Sequence, residues 1–324
     1  MSVSAGARVQ RRTSGLSDKA RKRIEITILS LPALIMFLGF VILPVFMAGY
    51  YGFFKWKGYG KPTVNGQFIG FENYKVILTD PNFQQALGHT LFVVVASRVV
   101  QGPLAILFAL LLNQKFKGRT LIRTLIFVPY VVSEVIVGTG WSLILQTTGA
   151  LNALLKKIGL GGADWISDPK IAIWTLMFII SWKYIGFAVI LMIAGMQSIP
   201  EDLYEAAKVD GAGFWRQQWS ITLPLLGPTI RIWAFMSIIG SLQLFDLVYI
   251  IWGQYVSSTA GTSTMATYMV REGRLANNYG YGSAVAVVTQ VDRRGLPIDV
   301  VIRSARGDFF KWVCRTRKLV FGNH

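Results

Sequence analysis

Few residues in this sequence can do chemistry, and several of them sit where charge is costly. Three ionisable side chains, Arg98, Glu134 and Lys183, fall near the middle of long apolar runs. A charge at the centre of a bilayer costs about 2.5–3.5 kcal/mol on insertion scales, so each is expected to face protein or a water-filled cavity. Trp182, Tyr184, Gln243, Phe245 and Asp246 join them as candidates. Aromatic faces stack on sugar rings, and Gln or Asp can hydrogen-bond hydroxyls. These eight residues define a candidate pathway for a polar solute. The competing reading is structural: Glu134 neutralises Arg98 or Lys183, and the aromatics pack or mark the membrane interface. Two mid-depth cations against one acid lean toward an anionic solute, although a structural ion pair explains them equally well.

Covalent and metal chemistry have little to work with. Cys314 is the only cysteine, and His89 and His324 are the only histidines. An intrachain disulfide is impossible, and neither a His-containing triad nor a structural zinc site is expected. No G-x-x-x-x-G-K-[ST] loop is present to hold nucleotide phosphates. The pairs Gly138–Gly140 and Gly211–Gly213 lack a strand–turn–helix setting. The chain is therefore read as a non-enzyme that binds no metal or cofactor itself.

The elements that position the candidate residues are membrane helices. The 324 residues are 53% hydrophobic and 15% charged, against about 25% charged in an ordinary soluble domain. A bilayer core needs roughly 20 apolar residues in helix. Five stretches qualify: 26–54, 87–112, 121–145, 171–196 and about 223–252. No strand-like alternation appears, so helices rather than a barrel must satisfy the backbone in lipid. The fold class expected is all-α, a polytopic membrane helix bundle with five clear spans plus a truncated sixth. That sixth begins at Tyr281–Val288 and turns hydrophilic at Thr289. The first apolar stretch is too long for a signal-peptide core and contains Pro32 and Pro44, so it reads as a span.

The formal charge of +17 is concentrated at the ends. Residues 1–25 carry seven Lys/Arg against two acids, and residues 289–324 carry eight against three. Without aromatic–basic interleaving or finger spacing, this pattern fits tails at an anionic membrane surface rather than nucleic acid. Lys115, Lys117, Arg119 and Arg123 mark an inside loop. They put the N-terminus in the cytoplasm, the loops 55–86, 147–169 and 253–280 outside, and 197–222 inside. The parts expected are a basic cytoplasmic tail over 1–25, a transmembrane domain over 26–288 and an atypical basic tail over 289–324.

The inside loop 197–222 is the most informative stretch. Ser198 and Glu201 have capping-box spacing, with Pro200 tolerated in the first turn. Glu201 and Asp202 suit the positive end of a helix dipole. Leu203, Ala206 and Ala207 make a small apolar face, and Asp210-Gly211 supplies a stop. A short helix outside the membrane is predicted, able to sit in a groove on a partner.

The run Glu205-Ala206-Ala207, then Asp210-Gly211-Ala212, then Ile221-Thr222-Leu223-Pro224 and Pro228, resembles the EAA loop of binding-protein-dependent ABC importer permeases. Segments 120–130, 195–200 and 240–246 are similar to the maltose/glycerol-3-phosphate type within that superfamily. The resemblance covers roughly residues 25–288. It implies a permease subunit of an importer for a carbohydrate or related polar solute, in a prokaryotic cytoplasmic (inner) membrane. It also implies a second permease subunit, cytoplasmic ATP-binding subunits that hold ATP and Mg, and an external solute-binding protein. Glu205, Ala206, Ala207, Asp210, Gly211, Ala212, Leu223 and Pro224 would form the ATPase-coupling loop. After about Val288 the sequence departs from the family pattern, as a shifted reading frame would produce. A secondary transporter is disfavoured because neither repeat symmetry nor a broken span is apparent. A membrane enzyme is disfavoured for want of clustered acid–base or metal residues.

Overall fold

Apolar side chains recur through the long runs with few helix breakers, so in lipid the backbone satisfies itself as helix. The computed structural model describes residues 18–114 and 116–295, and within them helices dominate. Contacts divide the chain after Tyr50 into two units. The first unit is built around one helix, α1 (Lys22–Tyr51), 30 residues long. It carries a π-helical turn at Leu38–Ile42 and exposes Ile26, Leu29, Phe40 and Phe46.

The second unit holds the remaining helices. They are α2 (Pro81–Leu112), α3 (Arg119–Val131), α4 (Glu134–Ile144), α5 (Ala172–Gln197), α6 (Glu201–Val209), α7 (Gly227–Leu242), α8 (Asp246–Thr259), α9 (Met265–Val270) and α10 (Tyr279–Gly295). Shorter helices and one two-stranded ribbon, Phe54–Lys55 against Gln67–Phe68, lie between them. By length and composition α1, α2, α5 and the stretch Gly227–Gly253 can each cross a membrane, and the pair α3–α4 makes a fifth crossing if counted as one span.

That pair corrects the reading of 121–145 as one straight span, and of the chain as free of broken spans. α3 and α4 meet at 94°. Val132 and Ser133 are extended there, and Pro129 already weakens the last turn of α3. A second interruption separates α7 from α8 at Gln243–Phe245. Breaks at membrane depth are tolerated when other groups satisfy the freed backbone. Here the buried Lys183 ammonium donates to the Val132 carbonyl at 2.7 Å, and the Thr264 hydroxyl donates to the Leu244 carbonyl at 2.7 Å.

Three apolar clusters hold the second unit together. One joins α4, α5 and α8 through Val137, Leu176, Ile179, Leu247, Val248 and Trp252. Another joins the second half of α2 to α5 through Ala105, Ala109, Ala188, Val189 and Met192. The third gathers Phe83, Ala86, Met265, Tyr268, Ala284 and Val285 from α2, α9 and α10. Here α10 runs on as helix past Val288 to Gly295, so the change of composition at Thr289 does not end it. Its 17 residues span about 26 Å at the α-helical rise, somewhat less than a bilayer core. The tail residues 296–324, with Cys314 and His324, lie outside the described residues, as do 1–17 and Lys115.

At the start of α2, Asp80 caps the helix by accepting from the Asn82 N–H at 2.8 Å, and also accepts from the Tyr268 and Tyr281 hydroxyls. Burial pushes the Asp80 carboxyl up. The hydrogen bonds from Tyr268, the Asn82 backbone and Tyr281 outweigh it and hold the group below its ordinary value. A depressed carboxylate stabilises the fold above its unfolded pKa and loses that contribution as pH falls through the folded value. The thermal-stability gap between wild type and Asp80→Asn is therefore expected to be full at pH 7. It should close as pH falls below about 4; a gap constant with pH would contradict this assignment.

Candidate functional site

The site has two parts, a cavity inside the second unit and the loop at the foot of α5 and α7. The cavity, about 240 Å³, opens among α2, α3, α5 and α7. A π-helical turn at Ser97–Gln101 sets Ser97 and Gln101 into its wall, and Gln101 also reaches Ser181 on α5 at 3.4 Å. Tyr130 stacks on Phe187 with centroids 5.0 Å apart and 21° between planes. Tyr184, Trp233, Ser237 and Ser241 contribute further wall, with aliphatic side chains between them. Stacked rings beside hydroxyl and amide groups suit an amphipathic, hydroxyl-bearing solute.

Of the eight pathway candidates, Tyr184 lines this cavity. Its hydroxyl donates to Glu134 in the first turn of α4. Asp246, in the first turn of α8, is exposed but within electrostatic reach of the same hydroxyl. Lys183 does not line the cavity. It is 2% exposed, and its ammonium is occupied by the carbonyls that end α3. That is the favoured place for a cation on a helix dipole. Arg98 is half-buried, and its Nε has no hydrogen-bond partner among the described residues. The ion pair expected between Glu134 and Arg98 or Lys183 does not form: Glu134 bonds Tyr184 instead, although Lys183 still feels its charge. Trp182 is exposed edge-on to Trp141, and Phe245 stacks on Tyr249 at 5.1 Å, so both pack as aromatics away from the cavity. Gln243 is exposed at the break between α7 and α8.

The sequence offered weaker signals for Ser97, Gln101, Tyr130, Phe187 and Trp233, because neutral and aromatic residues are ordinary in spans. The usable one was the i, i+4 spacing of Ser97 and Gln101, which puts two polar groups on one face of an apolar helix.

The loop contains α6 as predicted, but without the capping box. Pro200 is the N-cap residue, and the Ser198 hydroxyl is taken up closing α5, donating to the Gly195 carbonyl at 2.7 Å. The stop at the other end follows the sequence closely. Gly211 has φ +72°, the Ala212 N–H donates to the Ala207 carbonyl at 2.9 Å and the Gly211 N–H to the Lys208 carbonyl at 3.0 Å. This is the Schellman pattern, which needs a residue free to adopt positive φ. Glu205 and Ala206 are exposed, Ala207 is half-buried, and Leu223 and Pro224 open the short helix leading to α7.

Residues outside the predicted set brace α6. Tyr204 hydrogen-bonds the Thr222 hydroxyl at 2.8 Å, and Thr222, 1% exposed, donates to Gln218 at 2.7 Å. Gln217 donates to the Ala212 carbonyl at 2.7 Å. These bonds tie α6 to the chain entering α7.

A multi-helix membrane unit with a mainly apolar cavity carrying a few hydroxyl and amide groups, and a braced helix on a connecting loop, fits a membrane transport component. Residues 101–289 match the family model described as the binding-protein-dependent transport system inner membrane component. The chain belongs to that family, and it is a permease subunit, not an enzyme. It is 31% identical over 265 residues to the trehalose/maltose transport system permease protein MalF of Thermococcus litoralis, covering 81% of this chain and 87% of that one. It is 33% identical over 270 residues to the sulfoquinovosyl glycerol transport system permease protein SmoG of Agrobacterium fabrum, covering 82% and 85%. A bacterial alginate ABC transporter solved in complex with an alginate pentasaccharide-bound periplasmic protein superposes with a TM-score of 0.73 at 27% identity, covering 85% of this chain and 91% of that one.

Proposed function

We propose that this chain is the transmembrane permease subunit of an ATP-driven importer of a carbohydrate or related polar solute. The relatives bearing sugar-transport names support the solute class. In this reading α6 docks into a cleft on a cytoplasmic ATP-binding subunit, and ATP with Mg is bound and hydrolysed there. A second permease subunit completes the solute path, and an extracytoplasmic solute-binding protein delivers the cargo. The chain sits in a prokaryotic cytoplasmic membrane with its N-terminus inside, crossing by five spans and a short sixth at α10.

One observation carries the reading: a short, exposed helix with an alanine pair, stopped by Gly211 and tied through Tyr204 and Thr222 to the foot of a span. Small side chains let a partner approach closely, and the tie converts docking into movement of α7. ATPase closure would swing α6 and expose the cavity alternately to each side. Affinity purification of the tagged chain from its native membrane tests this. A soluble ATP-binding subunit should be recovered in stoichiometric amount, whereas a secondary transporter or a membrane enzyme would yield none.

A further inference from the structure

Resting on the cavity reading above, we infer that the solute passing this chain is uncharged, a neutral polyhydroxy compound rather than a sugar acid. The cavity wall is composed of neutral side chains: Ser97, Gln101, Tyr130, Tyr184, Ser237 and Ser241 among apolar ones. The two cations that would favour an anion are placed elsewhere. Lys183 is committed to the Val132 and Pro129 carbonyls, and Arg98 is not part of the wall.

The broken spans strengthen the inference. In discontinuous membrane helices, the positive N-terminal ends of half-helices commonly receive anionic substrate groups. Here both such ends begin with a carboxylate of their own, Glu134 on α4 and Asp246 on α8. The two half-helices run against each other: a Cβ placed at Gly138 would come within 3.0 Å of the Ile250 Cβ. Glu134 accepts from the Tyr184 hydroxyl, Asp246 lies within electrostatic reach of it, and the Tyr184 ring lines the cavity. Ser133 further occupies the start of α4 by accepting from the Ile136 N–H at 3.4 Å. The positive ends are thus neutralised from within, and an approaching carboxylate or sulfonate would meet like charge. Sugar hydroxyls meet instead the neutral hydroxyl and amide groups of Ser97, Gln101, Tyr130, Ser237 and Ser241, which can donate and accept.

The test uses the purified importer complex in lipid nanodiscs, titrated with maltose, trehalose and cellobiose. Each is compared with the same disaccharide oxidised to the uronic acid at C6, with binding measured calorimetrically. An uncharged disaccharide should bind with its acid counterpart weaker by about tenfold or more, the effect of opposing like charges. In Glu134→Gln/Asp246→Asn that ratio should shrink to within about threefold, as removal of the like charges requires. Equal or tighter binding of the acid, or a ratio unmoved by the double substitution, would overturn the charge assignment while leaving the cavity as a solute site. Binding of none of the six sugars would overturn the cavity reading and the assignment together.

Discussion

Gly186→Leu is expected to leave no stably folded permease. Gly186 is fully within α5, where that helix crosses α3 backbone to backbone. A Cβ there would overlap the Ile126 carbonyl oxygen and stand 2.9 Å from the Phe127 Cα. Backbone atoms cannot rotate aside as a side chain can, so the helices must separate. Small residues at such crossings let membrane helices gain van der Waals contact, the main attraction left once lipid replaces water. Separation would also displace Lys183 from the α3 carbonyls and spread Tyr130 from Phe187, so the cavity would lose its wall. Overpacking of this kind costs typically about 1–3 kcal/mol, more when backbone is the obstacle. The check is size-exclusion chromatography of detergent-extracted protein. Gly186→Leu should run as aggregate, while Gly140→Leu, where nothing lies within 4 Å of the new Cβ, should remain monodisperse. Monodisperse, heat-stable Gly186→Leu protein would show that α3 and α5 do not meet at this closeness.

Glu205→Lys and Gly211→Asp are expected to abolish uptake while leaving membrane insertion normal. Glu205 is an exposed acid in the middle of α6, so its replacement costs the fold little and reverses one charge on the face proposed to dock. Gly211 holds φ +72° with open space around it, so an aspartate side chain introduced there would meet backbone strain rather than a clash. Strain there loosens the Ala212-to-Ala207 and Gly211-to-Lys208 bonds and frays the end of α6. Loss of about 1.4 kcal/mol of docking free energy already weakens the complex tenfold. Uptake by whole cells, normalised to the amount of inserted protein, should fall at least about tenfold in each variant. Wild-type uptake in both would remove α6 from the coupling path.

Much of this was legible because membrane sequences announce their helices by composition. The apolar runs located four stretches able to cross a membrane, with ends within six residues, and Asp210-Gly211 located the end of α6 because only a few residues adopt positive φ cheaply. The break at Val132–Ser133 was not legible, since both halves are apolar and Pro129 alone reads as an ordinary kink. Its stabiliser, Lys183, is 51 residues away, so its role exists only once α3 and α5 have packed. The cavity depends on tertiary packing in the same way. Searching for charges found Lys183 and Arg98, whereas the cavity is walled by neutral and aromatic residues whose grouping is purely tertiary. Ser198 shows the local counterpart: its spacing to Glu201 fitted a cap, but the preceding helix end took its hydroxyl first.

An ATP-hydrolysing subunit that grips α6 can be captured directly. With Cys314 replaced by serine, a single cysteine introduced as Ala206→Cys gives a crosslinking handle on the exposed face of that helix. Crosslinking in native membranes should join the chain to a soluble ATP-binding protein, with a yield that changes when ATP is added. Adducts confined to lipid or to the chain itself, in membranes still competent for uptake, would contradict it.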